Sequence, residues 1–208
     1  MKPFRIVLVA LVLLLNLVIA QPSWADRPNL TATPDYTEVT QGINNLLQAK
    51  ESRDPAGLPP EQVEQQLGEL KLQKYILETA KDWAQCTNET GKTLAVYAHK
   101  AKKGSAQPGT LFYLGNGQTT DDDWNCDAVY LPTGAKVAGL PNITDVTEPL
   151  AVKIVGGTQL IAKTNPAGEI QFNINPAKIF KAGEGNLSVP DISQANIDAS
   201  IPNAPIED

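Results

Sequence analysis

The residues of this chain best suited to chemistry cluster in Gln118–Asp127, QTTDDDWNCD. Asp121, Asp123, Asn125 and Asp127 fall on alternate positions, the kind of spacing at which calcium loops offer hard oxygens. The remainder of an EF-hand loop is missing. Cys126 stands where glycine makes the tight turn, and Pro132 stands where a glutamate would close the site. The plainer reading is an acidic, solvated turn, with a weak calcium site as the functional alternative, so no metal ligand is assigned. The two cysteines, Cys86 and Cys126, are predicted to form a structural disulfide, because an even pair in an oxidising compartment usually does. Closing a loop of about 40 residues would stabilise by roughly 4 kcal/mol on the chain-entropy account. A redox pair would favour Cys-x-x-Cys spacing, which is absent.

His99 is the sole histidine. It excludes a multi-histidine zinc site, although it could serve a nucleophile as a base. No Gly-x-Ser-x-Gly elbow accompanies it, so it reads as a strand-end or surface residue beside Lys100, Lys102 and Lys103. Gly115-Asn116-Gly117 lacks the rest of a phosphate-binding loop. Asn29, Asn88, Asn142 and Asn186 each open a glycosylation acceptor pattern, which matters only in a eukaryotic secreted protein. No catalytic residue and no cofactor is assigned.

The elements that must carry these residues divide the chain. Residues 26–34 are a polar, proline-containing leader, and 35–85 form a helical region. Val39, Ile43 and Leu46/Leu47 give the first helix an apolar stripe, ended before Asp54-Pro55. Val63, Leu67, Leu70, Leu77, Ala80 and Ala84 give a second, longer one over 60–85, opened by proline in its first turn. After a turn at 87–92, short alternating segments predict an antiparallel β domain over 86–181. Gly156-Gly157 is the strongest hairpin signal, and 175–181 suggest one helical turn. Residues 182–208, with three prolines and few large apolar side chains, read as an extended or disordered tail. The expected fold class is α+β: an N-terminal helical hairpin, then a small antiparallel sheet, sandwich or open barrel with one disulfide.

Residues 1–25 read as a signal peptide. Lys2 and Arg5 precede the apolar run Ile6–Ala20, and Ser23-x-Ala25 offers small residues for cleavage. The run is shorter than the roughly 20 residues that cross a bilayer comfortably, and no later segment is apolar enough. The expectation is a mature chain with no transmembrane segment, outside the cytoplasm. The formal net charge is −6 and becomes more negative once Lys2 and Arg5 are removed. Such a chain repels nucleic acid, whose phosphates need lysine and arginine clusters. The leader ending PSWA before Asp26 resembles those of cyanobacterial proteins exported to the thylakoid lumen or periplasm. The acidic chain with a proline-linked helical front and a disulfide-bearing β part is similar in style to small lumenal accessory proteins. This resemblance implies peripheral association with a photosynthetic membrane complex.

The leading functional expectation is therefore a non-enzymatic extracytoplasmic accessory or interaction protein with an unidentified protein partner. The alternatives are an extracytoplasmic enzyme using Asp/Glu acid–base chemistry, or a weak ligand- or calcium-binding module.

Overall fold

The computed structural model describes residues 28–51, 58–100, 109–185 and 187–206. The expected signal peptide, Lys102, Lys103 and Asn186 lie outside them. The described residues form three α-helices, a 3-10 turn and ten strands. The fold is α+β, with two long helices followed by two mostly antiparallel sheets.

Helix α1 spans Pro34–Glu51 and α2 spans Pro60–Thr79. Tyr36 near the start of α1 donates to Glu78 near the end of α2, and Lys50 pairs with Glu64 at the opposite ends. The two helices thus run antiparallel, as a hairpin. Val39, Ile43, Leu67 and Leu77 are buried between them and against Leu30 and Val155. The expected stripes are the buried ones, with one change: Leu47 is exposed. At Gly42 an added Cβ would lie 3.0 Å from Leu70 Cδ1, so the missing side chain lets the helices approach.

Helix α2 ends at Thr79, six residues short of the expected Gln85. Ala80 turns extended, at φ −56° and ψ 137°, and Ala84 is drawn into the sandwich core beside Cys86. Strand β1, Gln85–Glu89, takes the first half of the turn expected at 87–92. It pairs in parallel with β8, Gln159–Thr164. Sheet I has the order β1-β8-β9-β5-β6, with β9 at Ile170–Phe172, β5 at Lys136–Leu140 and β6 at Ile143–Asp145. Sheet II has the order β10-β7-β4-β2-β3. Its strands are β10 Lys178–Lys181, β7 Leu150–Lys153, β4 Trp124–Leu131, β2 Leu94–Lys100 and β3 Thr110–Leu114.

The two sheets share one core and form a sandwich. Val96, Val129, Leu131 and Val152 come from sheet II, and Cys86, Val137, Leu160 and Ala162 from sheet I. Alternation along β2 and β4 sends Ala95, Tyr97, Ala128 and Tyr130 to the other face of sheet II.

Two local expectations are corrected. The Gly156-Gly157 turn joins no hairpin, because β7 belongs to sheet II and β8 to sheet I. It carries the chain between the sheets, past the end of α2. Gly157 has φ +81°, and an added Cβ would lie 2.3 Å from Ala80 Cβ. No helical turn forms over 175–181; its last four residues are strand β10, because Ile179 packs on the sandwich core while Phe180 fills the opposite face.

The segment from Ala182 is extended over much of its length and ordered by packing. It crosses the outer face of sheet II and includes α3, Gln194–Ala199, capped by Ser193. Leu187, Val189 and Ile197 are buried there against Tyr97 and Tyr130. The hydroxyl of Tyr97 donates to the Ser188 carbonyl, and the Tyr130 hydroxyl lies 2.9 Å from the carbonyls of Pro190 and Ile192. Burial drives both phenol pKa values up, which keeps them neutral and able to donate.

Candidate functional site

The chemistry-bearing residues separate into four places. Cys86 on β1 and Cys126 on β4 are joined by a disulfide with Cα atoms 5.9 Å apart. Both are fully buried, and the bond ties sheet I to sheet II.

The alternating acidic residues do not converge. Asp121 and Asp123 lie in the turn before β4, where Asp121 Oδ1 accepts from the Asp123 amide. Asn125 and Asp127, on β4, turn to other partners. Asn125 Oδ1 accepts from the Ala84 amide, and Asn125 Nδ2 donates to Asp127 Oδ1 at 2.7 Å. No group of three or more His, Cys, Asp or Glu able to hold a metal ion occurs among the described residues.

The second oxygen of Asp127 meets His99, read from sequence as a strand-end residue. The imidazole Nδ1 of His99 donates to Asp127 Oδ2 at 2.7 Å, with both side chains under one-fifth exposed. A β-bulge makes this contact. Tyr97 pairs with Ala128, but Ala98 pairs with Cys126, so Asp127 is the extra residue of β4. Gly109 leaves room for the carboxylate, since an added Cβ there would lie 2.5 Å from Asp127 Oδ2. The result is a chain Ala84–Asn125–Asp127–His99 in which each group fixes the next. The hydrogen bond to Asp127 raises the His99 pKa above 6.5; burial opposes this, and the charges of Asp127 and Asp35 add to it. Periodicity alone could not have found this pair, because a bulge breaks periodicity.

A third place is the seam where the helical hairpin meets the sandwich. Lys153 on β7 pairs with Asp35 of α1, and Lys178 on β10 pairs with Glu38 of α1 at 2.8 Å. These four groups line an open groove of about 80 Å³ with Val39, Leu70 and Val155.

The fourth place is the outer side of α2. Leu72 is 60% exposed and Tyr75 63% exposed, both large apolar residues left in water. Gly68 precedes them at helical spacing, on the same face. Among the described residues, an added Cβ at Gly68 would meet nothing within 4 Å. Trp83, just beyond the end of α2, packs with the helical cluster.

Of the expected glycan acceptors, Asn88 is fully buried, with its amide donating to the carbonyls of Lys92 and Leu114. Asn29 and Asn142 are exposed. No helix of the described residues is long and apolar enough to cross a membrane. No family model, no curated protein and no solved structure matches this chain.

Proposed function

We propose that this chain is a non-enzymatic accessory protein that works outside the cytoplasm by docking on a protein partner through the outer face of α2. One observation carries the reading: Gly68, Leu72 and Tyr75 form an open stripe on a helix whose other side is already consumed by packing. Glycine in an exposed helix interior costs about 0.5–1 kcal/mol relative to alanine, and among the described residues no close approach at Gly68 repays it. A close-approaching partner backbone would. The disulfide supports an oxidising compartment. The leader pattern supports export to the thylakoid lumen or periplasm, and peripheral attachment to a photosynthetic membrane complex is the corresponding setting.

The test is site-specific photo-crosslinking in the cells that make the protein. A photoreactive residue at Tyr75 should give one discrete adduct, lost on adding Leu72→Asp. The same probe at Lys163, exposed on sheet I, should not give it. Equal adducts from both positions would defeat the reading.

The enzymatic alternative draws on one observation, the oriented imidazole of His99. His99→Gln separates the two: a docking protein keeps its Tyr75 adduct, whereas an enzyme using that base loses turnover.

A further inference from the structure

Helix α2 carries two seams of coiled-coil spacing. Val63, Leu67, Leu70, Lys74 and Leu77 step by four and three residues and are buried or half-buried. Glu61, Gln65, Gly68, Leu72, Tyr75 and Thr79 step the same way, and all six are exposed. This second seam contains the stripe assigned above to docking, and its spacing suits one helix lying along another. Resting on that docking reading, we propose that the partner of this face is the antiparallel α2 of a second copy of the chain.

Charge selects the copy and its direction. In heptad terms Gln65, Leu72 and Thr79 are a positions, and Glu61, Gly68 and Tyr75 are d positions. Glu64, Lys71 and Glu78 then flank the seam at g, and Gln62, Glu69 and Ile76 flank it at e. A parallel copy would set Glu61 against Glu61 and Glu64 against Glu69, like charge on like. An antiparallel copy sets g against g, so Lys71 can meet a glutamate. In one such register Lys71 meets Glu64, but Leu72 falls on Glu61. In the other Lys71 meets Glu78 of the second copy, and Leu72 meets its Tyr75. The two-fold axis repeats both contacts. Gly68 then lies opposite Thr79, and the missing side chain lets the helices approach. Glu78 also accepts from Tyr36 and holds Lys74 at 3.6 Å within its own hairpin, which keeps its carboxylate beside the seam. The apolar contact and the ion pair thus agree on one register.

One helix face buries less than the roughly 1,200 Å² of a stable interface, so the pairing is weak and concentration-dependent. Sedimentation equilibrium of the protein purified from its own cells, taken to about 1 mM, should show the mass rising from monomer toward dimer. Lys71→Glu and Glu78→Lys, both at exposed positions, should each weaken association about fivefold, because each sets like charges together twice. Mixed in equal amounts, the two variants should regain the parent's association, since each presents the charge the other lacks. In cells, the photoreactive residue at Tyr75 should trap a second copy, with the crosslink mapping to Leu72. A parent that stays monomeric at about 1 mM, or variants that associate no better mixed than alone, would overturn the pairing. So would a Tyr75 adduct with a different protein, which would leave the docking reading standing. No Tyr75 adduct at all would defeat the docking reading and this proposal with it.

Discussion

Asp127 is the residue on which the interior polar chemistry turns. Its carboxylate accepts from Asn125 with one oxygen and from His99 with the other. Asp127→Asn removes the largest cause that raises the His99 pKa, while burial continues to lower it. NMR should therefore find the ring titrating at lower pH than in the parent. A charge-assisted hydrogen bond contributes roughly 1.5–3 kcal/mol, discounted here because both groups keep some water contact. The loss should be largest below pH 6.5 and shrink as pH rises through the raised value, in denaturant melts across pH. The acidic run invites a second measurement. Its oxygens are split between a turn and the His99 chain, so calorimetry on metal-free protein should find no calcium binding tighter than about 10⁻⁵ M. Stoichiometric binding below that, abolished by Asp123→Asn, would contradict the geometry. Asp121 to Asp127 were visible in the sequence as a group. Their separation was not, because it depends on a one-residue shift between the Tyr97–Ala128 and Ala98–Cys126 pairs.

Among the elements, the helices were the most legible. Val39, Ile43, Val63 and Leu67 announce their buried faces through local spacing alone. The end of α2 was not legible, since Ala84 continues the helical stripe yet is claimed by a core assembled from distant strands. The same holds for β10 and the C-terminal strap. Leu187, Val189, Ile192 and Ile197 look sparse in sequence, but each meets the Tyr97–Tyr130 face. Tyrosine hydroxyls from 60 or more residues away anchor the strap's carbonyls. Ile197 is 1% exposed within it. Ile197→Ala should cost about 2–5 kcal/mol in chemical denaturation, as buried isoleucine truncations do. A cost below about 0.5 kcal/mol, the level of an ordinary surface substitution, would mean the strap contributes little to the fold.

For the whole molecule, the sandwich, the hairpin and the strap meet through a few long-range ties, of which the disulfide is the covalent one. The paired cysteine count made this bond legible in the sequence, but not that it would bridge two sheets, because sheet membership is a property of the assembled topology. Replacing both Cys86 and Cys126 with alanine should lower unfolding stability by roughly 4 kcal/mol on the chain-entropy account, read by denaturant midpoint. The outer stripe of α2 remains the feature that the fold does not use. Partner recovery by a Gly68→Gln variant tests its role most directly. Glutamine is a better helix former than glycine, and space is open at that position, so the variant should melt at or above the parent temperature. The docking account predicts that this equally or more stable protein loses its Tyr75-dependent partner, because the added side chain fills the gap the partner approaches. Recovery of that partner at the parent level would contradict it.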